Sequence, residues 1–262
     1  MNENKEALLL RLNKEMQVEA LNEVGFAEVT FDTPLSDFAK YIKWAGGLLD
    51  LRIVCIKLSD GEITYFTGED WVALSQNVKT QYNKIGACIR ARKREFVIAQ
   101  SDCVDSSGGY TFKWGAYGND IKDVKNYGPG NVGIYDIETG KEDTIKTINY
   151  MNGVKDSAGV IGAPAAEAAW NYKTNEKDPL QWHLPSIAEL RLIAEYKTEI
   201  NDFFNKYFGA GALTNNYYWS STEYNTTYSW SVLMTTGLSG FNNLSINYRT
   251  YAMRVRAVAL VK

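Results

Sequence analysis

The stretch "YYWSSTEYNTTYSWSVLMTTGLSGFNNLSINYRTYAMRVRAVALV", residues 217–261, contains the pattern that decides the fold. Its two ends are typical of buried strands. Between them, at residues 224–251, 19 of the 28 residues are Asn, Ser, Thr, Tyr or Gly, and Arg249 carries the only charge. Tyr supplies a large contact area with few rotamers to fix, while small polar residues adapt their hydrogen bonds. The composition favours a recognition surface, with a hydrated β-rich surface that binds nothing as the alternative.

Residues 230–235 alternate in a way that predicts a strand with two different faces. One face holds Trp230, Val232 and Met234, and the other holds Ser231, Leu233 and Thr235. We expect the first face to anchor the strand in the core and the second to be displayed. The closing "YAMRVRAVALV" predicts one central strand, with Met253, Val255, Ala257 and Ala259 on one face.

Residues 1–105 predict a small α+β domain. An amphipathic pattern at 5–24 predicts a helix whose apolar stripe packs on its own domain or, alternatively, joins copies of the chain. Two predicted hairpins, at 51–66 and 85–100, flank a predicted helix at 68–82.

Residues 106–262 form the second predicted domain. Its first half has long loops rich in Gly, Asn and aromatic residues, with a predicted helix near 164–172. A longer helix is predicted at 184–208, because Ser186 and Glu189 make a capping box ahead of an apolar stripe.

Composition excludes several classes of function. The net charge is −3 without a broad basic face, so nucleic acid is not an expected partner. No run approaches the ~18 apolar residues that span a bilayer, so we expect no membrane insertion. The N-terminus lacks the features of a signal peptide. We therefore expect a protein that stays in the cytoplasm or leaves the cell inside a virus particle. Cys55, Cys88 and Cys103 are odd in number and widely spaced, which predicts core residues rather than disulfides or metal ligands.

The sequence predicts no catalytic residue, no metal and no cofactor. His183, the single histidine, lies beside Trp182 and is predicted to be a packing residue rather than a catalytic base. Calcium needs several carboxylate or carbonyl oxygens, and residues 224–251 contain no Asp or Glu, which leaves Glu223 as a poor site by itself.

Four elements carry a resemblance to a known family: "WHLPSIAEL" (182–190), "YWSSTEY" (218–224), Trp230 and "RVRAV" (254–258). In order and spacing they resemble the C-type-lectin-fold domains that serve as variable proteins of diversity-generating retroelements, particularly those of gut Bacteroidetes and their phages. The likeness covers roughly residues 110–262. It implies an α+β fold, with a C-type-lectin-like domain at the C-terminus preceded by the small α+β N-terminal domain.

The resemblance also implies a mechanism for the composition of residues 224–251. In these systems a reverse transcriptase misreads adenines of a template, so that Asn codons of the AAC type become a spread of others. Such changes never give Lys, Glu, Gln, Met or Trp. The candidate ligand-binding positions, all within the permitted set, are Asn225, Thr226, Thr227, Tyr228, Ser231, Leu233, Thr235, Thr236, Leu238, Ser239, Phe241, Asn242, Asn243, Ser245 and Asn247.

Related proteins imply the role and the partners. Some members of the family are phage tail receptor-binding proteins, often trimers, and others are anchored on bacterial surfaces. We therefore expect a non-enzymatic, hypervariable protein on a virion or a cell surface, with a cell-surface protein or glycan as receptor and a homo-oligomer (trimer) through the N-terminal region. The alternative is a fixed-specificity carbohydrate- or protein-binding module of a bacterial cell. Formylglycine-generating enzymes of the same superfamily use paired thiols, and this chain has no Cys after 103, so that activity is not carried over.

Overall fold

The structure is a computed structural model that describes residues 49–128, 139–235 and 243–261. The helix predicted at 5–24 lies outside these residues. The chain divides into two compact units, one of Leu51–Cys88 with Phe96–Lys262, the other of Met1–Asp50 with Ile89–Glu95.

Eleven strands and six helices are present in the described residues. The strands are β1 (Asp50–Lys57), β2 (Ile63–Phe66), β3 (Tyr82–Ala91), β4 (Arg94–Ala99), β5 (Thr111–Lys113), β6 (Trp182–His183), β7 (Tyr217–Glu223), β8 (Tyr228–Leu233), β9 (Leu244–Tyr248), β10 (Ala252–Arg254) and β11 (Val258–Leu260). The helices are α1 (Gly68–Ala73), α2 (Gln76–Lys79), α3 (Gly140–Met151), α4 (Pro164–Trp170), α5 (Ile187–Glu195) and α6 (Lys197–Phe208).

The first sheet has the strand order β2-β1-β3-β4-β11-β6. The two hairpins predicted from the sequence are confirmed as β1–β2 and β3–β4. The single helix predicted at 68–82 is wrong. Thr67 and Asp70 form a capping box for α1, but Leu74 and Ser75 adopt extended backbone, so α2 begins separately and Tyr82 already belongs to β3.

The second sheet has the strand order β5-β10-β7-β8-β9. β7, β8 and β9 form an antiparallel meander, whereas β10 runs parallel to β7. β9 is the last strand at one edge, and the segment between β8 and β9 contains seven of the fifteen positions predicted to vary.

The C-terminal segment forms two strands, not the single strand predicted. β10 joins the second sheet, while β11 lies between β4 and β6 in the first. The face prediction is confirmed, because four alternate side chains are buried in one core: Met253, Val255, Ala257 and Ala259. The chain therefore crosses from one sheet to the other without leaving the core.

The long helix predicted at 184–208 is two helices that meet at Tyr196. The predicted capping box is confirmed: Ser186 Oγ accepts from the Glu189 N–H at 3.2 Å, and Glu189 Oε2 accepts from the Ser186 N–H at 2.7 Å. The helix predicted near 164–172 is confirmed as α4.

Helix α3 is not predicted by the sequence pattern. Its buried face is largely polar, with Asp143, Thr144 and Thr147 among the buried side chains. Thr144 Oγ1 donates to the Gly140 carbonyl at 2.7 Å and accepts from the Leu184 N–H at 3.1 Å. A helix that packs through hydroxyl groups gives no apolar stripe to detect.

The α+β fold class is confirmed. The predicted division at 105/106 is not tested, since residues 1–48 lie outside the described residues. Within the unit that holds Phe96–Lys262, β11 pairs with β4 through Val258 opposite Ile98, so strands from both sides of that division share one sheet. The three cysteines are buried, which confirms them as core residues.

Replacement of Trp219 and of Trp230 would show how much each side chain contributes to the stability of the β7–β8 pair. Trp219 is fully buried and its indole N–H donates to the Phe112 carbonyl at 2.8 Å, whereas Trp230 is partly exposed. We expect Trp219→Ala to lower the free energy of unfolding by about 3–5 kcal/mol, the range for a core aromatic. Trp230→Ala should cost clearly less. Urea unfolding of both variants gives the comparison, and equal losses would place Trp230 in the core.

Candidate functional site

An exposed aromatic patch lies on β8, β9 and the turn that follows. The register of the two strands sets Tyr228 opposite Tyr248 and Trp230 opposite Ile246. Ile246, Tyr248 and Tyr251 are 40%, 38% and 50% exposed. These five residues are called the aromatic patch. Large aromatic and apolar side chains gathered on one exposed surface are a signature of a binding site.

The rings of the aromatic patch contact one another. The centroids of Tyr228 and Tyr248 are 4.4 Å apart, and those of Tyr248 and Tyr251 are 5.5 Å apart. Tyr224 extends the row with an edge-on contact to Trp230 at 5.5 Å. Such contacts fix the side chains in place, so a ligand would meet a preorganised surface.

The phenol of Tyr228 stays neutral at physiological pH. A hydrogen bond between the Tyr228 and Tyr248 hydroxyl groups raises the pKa of Tyr228 to about 12. The only charged residue between 224 and 251 is Arg249, and its side chain is fully buried. The surface can therefore offer aromatic contact and neutral hydrogen bonds, but no exposed charge from this segment.

The opposite face of β8 and β9 is polar, and its side chains form hydrogen bonds with one another. The Asn247 side-chain amide donates to Ser231 Oγ at 2.7 Å and to Ser245 Oγ at 3.1 Å. Ser231 is fully buried, while Ser245 and Asn247 are partly buried. Three of the predicted ligand-binding positions are thus brought together, but they bond to each other.

The strand-face prediction is correct in its alternation and wrong in its assignment at Trp230 and Ser231. Val232 and Met234 are fully buried as expected, and helix α5 packs against β8. Trp230, on the same face as Val232, is only partly buried, and Ser231 on the supposed display face is inaccessible. Burial of a strand face depends on which helix covers it, and period alone does not reveal that.

The turn before β8 is built by its own side chains. Asn225 Oδ1 accepts from the N–H groups of Thr227 and Tyr228, both at 2.9 Å, in the way that Asx turns are closed. Thr226 accepts through its carbonyl from the Gly118 N–H at 2.8 Å. Asn225, Thr226 and Thr227 are partly buried, so this predicted part of the site is a turn supported by the loop around Gly118.

The remaining predicted positions are more dispersed. Leu233 and Thr235 are partly buried and Asn243 is buried. The buried Lys197 ammonium donates to the Met234 carbonyl at 2.8 Å, which fixes the end of this part of the chain. Five positions lie outside the described residues: Thr236, Leu238, Ser239, Phe241 and Asn242. As ligand contacts, all fifteen positions stay predictions.

Arg249 lies under the aromatic patch, and sequence reasoning gave it no role. Its guanidinium donates to Glu223 Oε1 at 2.6 Å and lies over the Trp114 ring, 4.4 Å from the centroid. Both members of the ion pair are fully buried. A buried charge persists only when it is paired and its donors are satisfied. The signal in the sequence is the isolation of this one charge in an otherwise neutral segment.

The same guanidinium ties two loops together through their backbone. Its remaining donors reach the carbonyl groups of Ala116 and Asn119, each at 3.1 Å, and of Asn225 and Tyr228. One side chain therefore joins the loop at 116–119 to the turn before β8.

Burial dominates the electrostatics of Glu223. Loss of hydration raises the pKa of its carboxyl group from 4.5 to about 7, against the lowering effect of Arg249, and Asp120 and Asp143 add to the rise. Glu223 Oε2 has no hydrogen-bond partner among the described residues. Burial also raises the pKa of the Cys103 thiol to about 12, which keeps it protonated and unreactive.

His183 is buried, as expected of a packing residue. Its Nε2 lies 3.5 Å from Glu189 Oε1. In the described ranges no three His, Cys, Asp or Glu side chains gather in a way that could hold a metal ion, and no described helix is long and apolar enough to cross a membrane.

One family model matches the chain, that of the Lcl C-terminal domain, over residues 141–259. Residues 141–259, the range that matches this model, are called the Lcl C-terminal domain below. This confirms the resemblance to C-type-lectin-fold variable proteins of diversity-generating retroelements and makes the domain one of a ligand-binding type. Comparisons with curated proteins and with solved structures gave no match.

The Lcl C-terminal domain contains the whole aromatic patch and all fifteen predicted positions. Strands β1 to β5 lie outside the matched range, yet β5 pairs with β10 and β4 pairs with β11. The scaffold of the site is thus wider than the family match.

The raised pKa of Glu223 predicts how the stability of the Lcl C-terminal domain changes with pH. The folded state holds the proton more tightly than the unfolded state does, so the contribution of Glu223 to the free energy of unfolding falls as pH rises from 4.5 to about 7. In Glu223→Gln this dependence should disappear while an oxygen remains for Arg249. Urea unfolding across this range measures the difference between the two proteins.

The matched control is Glu62→Gln, which neutralises an exposed carboxyl group. It should leave the pH dependence of the wild type unchanged. A wild type that gains stability relative to Glu223→Gln as pH rises would contradict the assignment.

Proposed function

We propose that this is a non-enzymatic receptor-binding protein whose ligand surface is diversified by a retroelement, and that it acts as a phage tail component. The observation that carries the proposal is the exposed, uncharged aromatic patch on β8 and β9 of an Lcl C-terminal domain. Its partner is a protein or glycan of a bacterial cell surface. Homo-oligomerisation, as a trimer, would involve the N-terminal region.

The chemistry of the patch supports binding rather than catalysis. Tyr and Trp are the residues that dominate the energetics of interfaces, and here they contact one another before any ligand arrives. The thiols of Cys55 and Cys103 are buried, and burial raises the pKa of each to about 12, which does not suit a nucleophile.

The location of the candidate positions supports diversification. Tyr228 contributes to the patch itself, while Ser245 and Asn247 lie on the edge strand that carries Ile246 and Tyr248. Side chains on an edge strand can change without altering the strands behind them. The structural roles of Asn225 and Ser231 imply that these two positions tolerate fewer replacements.

A second candidate is a fixed-specificity module of a bacterial cell. It is favoured by the hydrogen bonds among Ser231, Ser245 and Asn247, which a random change at any one of them would disturb. The two candidates differ in the origin of the sequence of the surface, not in its chemistry.

The neighbouring DNA separates the two candidates. If the surface is diversified, a near-copy of the segment that encodes residues 224–251 should lie close by, beside a reverse transcriptase gene, with Asn codons at the candidate positions. Sequencing of the flanking region gives the answer. A locus without such a repeat would favour the fixed-specificity module.

The aromatic patch makes a direct prediction about binding. The double variant Tyr228→Ala/Tyr248→Ala should bind intact Bacteroidetes cells roughly 10- to 100-fold more weakly, the usual effect of removing interface aromatics. Its melting temperature should change little, because Tyr248 is 38% exposed. Flow cytometry with labelled protein and thermal unfolding measure the two effects.

Tyr150→Ala is the control for this experiment. Tyr150 has a similar exposure, 39%, but lies on α3 rather than in the patch, so its removal should leave binding unchanged. Equal loss from both proteins, or none from the double variant, would reject the patch as the binding surface.

A further inference from the structure

β9 is the edge strand of the second sheet, and the backbone N–H and C=O groups of its alternate residues point away from β8. The Arg249 N–H donates to the Thr227 carbonyl at 3.1 Å, which makes these two residues a hydrogen-bonded pair of the antiparallel ladder. Such pairs alternate with pairs that do not bond to each other. The register then places Ser229 with Asn247 and Ser231 with Ser245 in bonded pairs.

The other residues of β9 direct their backbone groups away from β8. These are Leu244, Ile246 and Tyr248, which lie opposite Val232, Trp230 and Tyr228. The hydrogen bonds of the β8 carbonyl groups are consistent with this alternation. The Tyr228 carbonyl accepts from the Tyr224 and Asn225 N–H groups, each at 3.2 Å, and that of Trp230 accepts from Ser220 Oγ, so neither faces β9.

Part of the outer edge of β9 has no partner in the described part of the chain. The Tyr248 carbonyl accepts from the Tyr251 N–H at 2.9 Å, but no described residue bonds the backbone of Ile246 or the N–H of Tyr248. No strand other than β8 pairs with β9 in the described ranges. An unpaired row of N–H and C=O groups is a template for another strand.

The described residues of β9 lack the charge, proline and bulge that often protect an edge strand. Its sequence, LSINY, contains no charged residue and no proline, and its pairing with β8 runs without a bulge. Its exposed side chains are Ile246 and Tyr248, which extend the aromatic patch to the edge. An edge left in this state is suited to pairing.

Charge identifies the class of occupant. Arg249 is the only charge between 224 and 251 and is buried against Glu223, so these residues themselves offer no exposed counter-charge to an anionic polymer or to a charged peptide. The groups that do fit are backbone amides and carbonyls, flanked by apolar side chains.

We propose that β9 accepts an extended, uncharged segment of a protein ligand as a sixth strand of the second sheet. The proposal rests on the proposed function, in which residues 224–251 bind the ligand. Backbone hydrogen bonds do not depend on side-chain identity, so affinity from this source persists while Ser245, Asn247 and their neighbours change. Side chains beside the added strand then supply specificity.

The test replaces the outward N–H of β9 and nothing else in the ladder. Ile246→Pro removes an N–H that does not bond to β8, and proline is tolerated at such edge positions. Ile246→Thr is the matched control, because it keeps the N–H and the branched side chain. Both proteins should melt within a few degrees of the wild type, since neither change removes a ladder bond.

The probe is a short linear peptide selected from a random library displayed on phage, with the wild-type full chain as bait. By titration calorimetry, Ile246→Pro should bind the synthetic peptide roughly tenfold or more weakly than Ile246→Thr does, because both variants lose the apolar Ile246 side chain but only Ile246→Pro also loses the N–H. Equal affinities for the two variants would overturn the proposal.

A second arm does not depend on how the variants fold. The same peptide is N-methylated on one or the other set of alternate residues and titrated into the wild-type protein. Strand addition requires that one set abolishes binding and the other preserves it, because only alternate amides face β9. Equal effects of both sets would overturn the proposal.

Two other possible occupants of the edge, a second copy of the chain and a neutral glycan, give different results in further experiments. A dimer in light scattering that Ile246→Pro dissolves would assign the edge to a second copy of the chain and overturn the proposal. Binding to neutral glycans on an array, unaffected by Ile246→Pro but lost in Tyr228→Ala/Tyr248→Ala, would also overturn it while the proposed function stands. Failure of the Tyr variants to reduce cell binding would remove the proposed function itself.

Discussion

The buried ion pair of Arg249 and Glu223 is the constraint on which the binding surface depends. The turn before β8 is polar, and the Arg249 guanidinium holds it through bonds to the Asn225 and Tyr228 carbonyls and to Glu223 Oε1. A guanidinium carries five donors in a fixed plane, so it can hold two loops and a carboxylate together. Because these bonds reach backbone carbonyls, they hold the loops whatever side chains the loops carry.

The alternation of β8 and the composition of its neighbourhood could be predicted from the sequence, but exposure could not. Trp230 and Ser231 lie on opposite faces as the period of two requires, yet the aromatic ring is at the surface and the serine is enclosed. Val232 and Met234 are buried, and α5 packs against β8 through contacts between residues remote in the chain. Sequence period identifies the faces of a strand, whereas tertiary neighbours decide which is covered.

The same limit explains the other differences. Met253 and Ala259 follow one buried alternation although they belong to different sheets, since the core is continuous where the chain crosses. Helix α3 packs through Thr and Asp and leaves no apolar stripe. Arg249 bonds to Ala116, 133 residues away, and no local pattern could reveal that partner. The capping box at Ser186 could be predicted because all its atoms lie within four residues.

The pairing of β4 and β5 with the last two strands bears on how such a domain can move between genes. A recombination event that carried only residues 141–259 would leave β10 without β5 and β11 without β4. Both transplanted strands would then present bare edges to solvent, which invites aggregation. Successful shuffling of the variable region therefore requires either that the exchanged piece includes β4 and β5, or that the recipient supplies strands of the same register.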